Sequence, residues 1–389
     1  MAWAGAYALL ATVAALVFAG AILSGPYRAV ERSDYMTYHV AARIVLDGNG
    51  ACLYEERCQA EAQRELIGEE PSFANGALPF NSPPWFAALV APLGALPLPV
   101  GFALFTLLGL GVLAWGAWRA ARHAGLALSG ARLAVLLVLT SWPTVMAVIR
   151  GQSTLIVVGL LGLSVGLATY RSGLALGLGL LKPTLPPLWG AWQLLGSHWR
   201  AIGTAAGVGL VFLGLAALVV SPQALADYPA HLVGVAGGDA LGVHPAEMVN
   251  WRGAAERLGA GSWLGIGGSL VTLAIVALVW ARSSSRHLGA AAAFLATPLA
   301  LPHANQHEFV LATLGILLVV AAAPELRRRL ATLAIGLHPV VWAGVALDPE
   351  AAAWLLFAVE LGWLLIVLWM SGAPGQRQGV VPLPTAGSE

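Results

Sequence analysis

Residues 177–190 read GLGLLKPTLPPLWG and hold the only lysine of a 389-residue chain; every other cationic side chain is arginine. Lys182 stands between two apolar runs, residues 174–181 and 185–195, and is followed by Pro183, Pro186 and Pro187. Proline removes a backbone donor and clashes with the preceding turn, so no regular helix passes through this segment. The freed carbonyls need partners. At membrane depth such breaks are tolerated where protein or water lines a cavity. An unpaired charge in hydrocarbon is costly, so an intramembrane ion faces a cavity and marks function, unless it snorkels to an interface.

The rest of the chain sets that lysine in a membrane. Hydrophobic residues make up 58% of the sequence and charged residues 10%. A soluble protein of this length cannot hide so much apolar surface. Apolar stretches of about 20 residues recur throughout, each long enough to cross a hydrocarbon core of about 30 Å. An all-α polytopic membrane protein follows, with about ten to twelve crossings. Net charge is +1, which says nothing about nucleic acid, and no basic patch is present to bind it, so no nucleic-acid partner is expected. The first apolar run, residues 2–23, lacks a positive n-region and is too long for a signal peptide, so it reads as a retained helix.

Residues 24–82 form a polar segment with nine of the 19 acidic residues. Within it SDYMTYHVAARIVLDGNG, starting at Ser33, reads as a short helix with Ser33 as N-cap and Gly48 and Gly50 ending it. EERCQAEAQRELIG, starting at Glu55, reads as a second, amphipathic helix. Both are expected on the membrane surface. Cys52 and Cys58 share this loop. In an oxidising compartment they form a disulfide; otherwise they are two free thiols. One cysteine pair is no metal site.

Arginine placement orients the spans. The run Arg327, Arg328, Arg329 belongs to the cytoplasmic side, with Arg282, Arg286, Arg200, Arg119, Arg122 and Arg132. The polar loops 24–82 and 221–261 and the turn LPHANQHE (301–308) then face outside. Residues 1–371 read as one integral membrane domain and residues 372–389 as a disordered cytoplasmic tail. Residues 83–118, broken by PLGALPLP, make one span with a surface half-helix or two short spans. Residues 173–197, broken by KPTLPP, pose the same choice.

Other polar groups interrupt the apolar runs. Arg150, Gln152 and Ser153 lie between two spans. The turn at 301–308 offers His303, Asn305, Gln306, His307 and Glu308. Its two histidines have a metal-ligand spacing without a clear third ligand, so anion binding or plain loop polarity fits better. Glu360 interrupts the last span as a buried acid without an assigned chemical part. Asp34 opens the short helix about ten residues past the first span. It is a general base at the membrane boundary or an ordinary acid favoured by the helix dipole.

The order of these features resembles a known family. The carriers are DYMTYHVAARIVLDG from Asp34, Leu53–Tyr54, PFNSPPWFAALVAPLGALPLP from Pro79, RGQSTLIVVGLL from Arg150, GLGLLKPTLPPL with the following HWRA, and LALPHANQHEF from Leu299. Together they resemble the polyprenol-phosphate-sugar-dependent membrane glycosyltransferases of the GT-C fold, most of all glycosyltransferase family 87, which includes mycobacterial mannosyltransferases that extend phosphatidylinositol mannosides. Where the family usually carries a tyrosine before the Pro-Pro pair, this chain has Phe80–Asn81–Ser82.

The resemblance implies a GT-C-type fold, with Asp34 as catalytic base and a polyprenyl phosphate in a groove between helices. Lys182, Arg150 and His303 become candidates for the donor phosphate. Tyr35, His39, Tyr54, Asn81, Gln152, Asn305 and His307 become candidates for substrate contact. Bringing Lys182, Arg150 and His303 together requires that 83–118 make one net crossing and that 173–197 dip in and return. The implied reaction is an inverting transfer of a hexose, mannose favoured, to a lipid or glycan acceptor at the outer face of the cell membrane. It calls for no cofactor and no metal. Competing readings are a secondary transporter built on broken helices around Lys182, a GT-C-like glycan polymerase or ligase reading a diphosphate with Arg252 and Arg257, and a membrane subunit without chemistry.

Overall fold

The structure, a computed structural model, describes residues 2–25, 29–68, 77–167, 169–237, 245–283 and 285–372, and among them the chain is helix and turn without a strand. The tail expected to be disordered lies, from residue 373 on, outside the described residues. The helices are α1 (Ala2–Leu23), α2 (Asp34–Leu46), α3 (Glu56–Ile67), α4 (Pro84–Gly94), α5 (Leu98–His123), α6 (Leu128–Leu139), α7 (Trp142–Arg150), α8 (Thr154–Gly166) and α9 (Thr169–Leu178). They continue as α10 (Pro187–Leu195), α11 (Trp199–Leu215), α12 (Pro222–Gly237), α13 (Trp251–Arg257), α14 (Ser262–Arg282), α15 (Arg286–Ala300), α16 (Val310–Ala322), α17 (Arg327–Leu347) and α18 (Pro349–Ser371).

Five helices, α1, α5, α11 with its following π-turn, α14 and α18, are long and apolar enough to cross a membrane. A sixth such unit is α6 with α7, bent by 51° at Thr140–Ser141. Most of the other expected spans are shorter helices. These long helices carry exposed leucine, valine and isoleucine, among them Leu9, Leu10, Leu107, Leu210 and Leu270. That outward apolar belt suits lipid rather than water. The centre is the alanine-rich α15, buried from Leu288 to Leu299 and packed against α14, α16 and α18. Small residues let the helices approach closely. Where α5 crosses α8, Gly116 meets the backbone of Gly159, and a Cβ on either would collide with the other helix.

Contacts define two ends. Arg286 donates to the Ser164 and Leu167 carbonyls, tying the start of α15 to the end of α8. Lys182 reaches Thr154, the first residue of α8, at the opposite end. Cβ atoms built on Gly173 and Gly177 of α9 would meet Ala201 and Val208 of α11, so these two helices run side by side in one direction. In α10, Trp189 bonds Ser164 and Gln193 bonds Ser172, so α10 runs back toward the arginine end. Residues 173–197 therefore dip in and return, with the bend at Lys182. The 11-residue α4 spans about 16 Å, too short to cross, so α5 alone carries 83–118 across.

The helix α2, expected as a surface helix, packs into the protein along most of its length. Ten of its residues are buried, because Tyr35 and Tyr38 pack into Phe86, Phe102 and Phe105 of α4 and α5. Within the polar segment 221–261, α12 and α13 form. Cys52, in the turn after α2, and Cys58, in the first turn of α3, are paired as a disulfide.

Candidate active site

Asp34 is the first residue of α2, where a carboxylate complements the helix dipole. Its Oδ2 accepts a hydrogen bond from Nε2 of Gln152, and no bond to Oδ1 is formed among the described residues. Gln152 sits in the turn between α7 and α8. That turn is possible because Gly151 adopts a left-handed φ of 62°, and a Cβ there would approach Phe102 to 2.8 Å. The Oε1 of Gln152 accepts from the Tyr38 hydroxyl at 3.2 Å and from Nζ of Lys182 at 3.3 Å.

Lys182 follows the 3-10 turn Gly179–Leu181, where the prolines end α9. Its Nζ also donates to Thr154 Oγ1 at 2.9 Å and to Glu308 Oε1 at 2.5 Å. An ammonium has three N–H donors. All three are engaged by protein oxygens. The side chains are 19% and 3% exposed for Lys182 and Glu308, so this is a nearly buried ion pair.

Glu308 is held from its own side as well. His307 Nε2 lies 2.9 Å from Oε1, and the Asn305 backbone N–H donates to Oε2 at 2.7 Å. Asn305 and Glu308 form a capping box at the turn Gln306–Phe309. The preceding carbonyls find partners in the start of α13: Asn250 donates to Leu301 O and Arg252 to Pro302 O. Gln306 accepts from the Trp142 indole, joining the turn to α7. Burial pushes the His303 imidazole below its ordinary range, with Glu308 pulling the other way and Lys182, His307 and Arg252 adding to the lowering. Its Nδ1 is buried without a partner and its Nε2 lies 3.4 Å from Asn305 Nδ2.

Asp34, Gln152, Lys182, His303, Asn305 and His307 thus gather around Glu308 and Tyr38. Tyr54 and Asn81 stand apart on a neighbouring rim. Tyr54 stacks on Tyr228 and Phe80, and its hydroxyl donates to Ser82 O. Burial, then Tyr228, push its phenol up, so it stays a donor. Asn81 Oδ1 lies 2.9 Å from His231 Nε2. The rim joins the lysine bend through the Trp85 indole, which donates to Leu180 O. Arg150 is exposed at the end of α7 and makes no ion pair among the described residues.

Tyr35 and His39 lie in the core behind the site. They are 1% and 2% exposed, and each ring packs against the other. They lie one and five residues past Asp34, roughly 100° and 140° around a helix of about 3.6 residues per turn, so they point into the core while Asp34 and Tyr38 face Gln152. The structure adds Tyr38 and Thr154 to the cluster and makes Glu308, one of several polar residues offered by the 301–308 turn, the partner of Lys182. A signal existed for Glu308: Asn305-x-x-Glu308 is a capping-box pattern, and a buried lysine needs an acid.

A family model, glycosyltransferase family 87, matches residues 80–324, more than half of the chain. The chain belongs to glycosyltransferase family 87. No curated protein and no solved structure matches it. The matched stretch of this family-87 chain takes in the rim at Asn81, the turn at Gln152, the lysine bend and the 301–309 turn. It begins after α2, so Asp34 is tied to the family's stretch by the Gln152 contact rather than by the match. A membrane glycosyltransferase binds a sugar donor and an acceptor, and the polar cluster under α2 is where its charged groups meet.

Proposed function

We propose that this family-87 enzyme transfers a hexose, mannose favoured, from a polyprenyl-phosphate sugar to a lipid or glycan acceptor at the outer face of the cell membrane. The observation that carries the reading is Asp34: a half-buried carboxyl group at a helix start, oriented on one oxygen by Gln152 and open on the other. Oδ1 takes the proton of the acceptor hydroxyl as that oxygen forms a bond to the anomeric carbon. The bond from that carbon to the phosphate oxygen breaks, its electron pair leaves with the phosphate, and configuration inverts. Arg150 and His303 retain donors not committed to ion pairs in the protein and receive the donor phosphate, with Lys182 as the buried positive charge nearby. Preorganised donors stabilise charge growing on a leaving group. The outer-face placement rests on the arginines that gather at the opposite helix ends.

The test is transfer by purified protein in lipid nanodiscs, offered polyprenyl-phosphate mannose, glucose and arabinose with a membrane lipid extract. Transfer by the wild type that is lost in folded Asp34→Asn supports the reading. Equal rates in Asp34→Asn overturn the assignment of the base, and no transfer with any donor overturns the donor class.

A further inference from the structure

The ammonium of Lys182 has no donor left over, and that decides what it can do. A phosphate contact requires an N–H directed at the ligand. The three N–H groups of Lys182 are directed at Glu308 Oε1, Thr154 Oγ1 and Gln152 Oε1. Glu308, 3% exposed, is in turn locked by His307 and the Asn305 backbone, so the pair does not swing out cheaply. Removing one partner of a buried pair leaves an uncompensated charge.

The Gln152 contact has a second consequence. A carboxamide can sit in either of two orientations related by a flip, and partners decide which. Tyr38 does not decide, since a hydroxyl both donates and accepts. Lys182 does, since an ammonium only donates. With Nζ on one side of the amide, oxygen must face it, and Nε2 must face Asp34. Flipped, the amide would turn its NH2 toward the ammonium and its carbonyl toward the carboxylate, two repulsive contacts in place of two attractive ones.

We infer that Lys182 is a positioning residue: held by Glu308 and Thr154, it fixes the orientation of the Gln152 amide, which holds Asp34 on Oδ2 and leaves Oδ1 for the acceptor hydroxyl. The donor phosphate is bound by other groups. This rests on the reading of Asp34 as base. The chain Glu308–Lys182–Gln152–Asp34 draws on four separate segments, so the site assembles only when the lysine bend, the α7–α8 turn, the 301–309 turn and α2 are all in register.

Two quantities separate positioning from phosphate binding: kcat at saturating polyprenyl-phosphate mannose, and the Kd of polyprenyl phosphate, read by intrinsic tryptophan fluorescence of the protein in nanodiscs. The variants are Lys182→Met with Glu308→Gln, which removes both charges of the pair, and Gln152→Ala, which leaves the pair intact. Positioning predicts that both lower kcat by roughly tenfold or more, the scale of a lost charge-assisted hydrogen bond. The Kd should stay within about twofold of wild type in both. A Kd weakened about tenfold or more in the double variant, with kcat retained, would overturn the inference and return Lys182 to the phosphate. Should the double variant not fold, an unchanged kcat in Gln152→Ala overturns it equally. Asp34→Asn, run alongside, isolates the underlying reading: full activity there refutes the base and not the side-chain geometry.

Discussion

The side-chain amide of Gln152 donates to Oδ2 of Asp34 across 118 positions of sequence. Its carbonyl faces Lys182 and Tyr38. One glutamine therefore links the first helix of the polar segment to the lysine bend, and substitutions there report on both.

Gln152→Glu should harm the enzyme more than Gln152→Ala. The alanine loses a hydrogen bond to an acid, worth roughly 1.5–3 kcal/mol and hence about 10- to 100-fold in rate. The glutamate keeps an acceptor for Lys182 but turns an oxygen toward Asp34, adding like-charge repulsion. Steady-state transfer rates in nanodiscs rank the two, and a Gln152→Glu enzyme as fast as wild type would refute the contact.

Glu308→Ala should destabilise the protein by about 3–5 kcal/mol, because it leaves the Lys182 ammonium buried without its counter-charge. Adding Lys182→Met removes the orphaned charge and should recover much of that loss. Thermal unfolding in nanodiscs measures both. If the double variant is no more stable than Glu308→Ala, the ion pair is not what holds these two segments.

The crossing of α5 and α8 depends on two glycines. A Cβ at Gly159 would collide with the backbone of Val112 and Leu113, whereas Gly111, on the same α5, has open space around it. Gly159→Val should cut the yield of monodisperse folded protein severely, and Gly111→Val should leave it near wild type. Size-exclusion profiles of the two variants decide, and equal yields would mean that the helices slide apart without cost.

Acidification should destabilise the protein. Burial, first of all, lowers His39, His231 and His303 below their ordinary value of 6.5. The unfolded chain then binds more protons than the folded one as pH falls through that value. Stability contributed by the neutral imidazoles is present above about pH 6.5 and is lost as pH falls through the lowered folded values. The thermal midpoint should drop between about pH 7 and pH 5, and His303→Gln should flatten the slope. A midpoint independent of pH over that range would contradict the buried, neutral state of these rings.

Much of the fold was legible because its determinants are local. The bounds of α1 coincide with the first apolar run, residues 2–23. Apolar length, prolines and flanking arginines all act over one helix. The lysine bend was legible for the same reason, since Pro183, Pro186 and Pro187 forbid a straight helix whatever surrounds them. The burial of α2 was not, because Tyr35 and Tyr38 look like an ordinary amphipathic spacing until Phe86, Phe102 and Phe105 close around them.

For the site, the sequence determined the reactive inventory: one lysine at a helix break, an acid at a helix start, a Gln between two spans and a polar turn at 301–308. Tertiary packing decided who meets whom. Lys182 pairs with Glu308 across 126 positions, and Asp34 meets Gln152. A short-range pattern says that a buried charge needs a partner, but the identity of that partner depends on how helices far apart in sequence pack. That packing directs all three donors of Lys182 at protein oxygens, those of Gln152, Thr154 and Glu308.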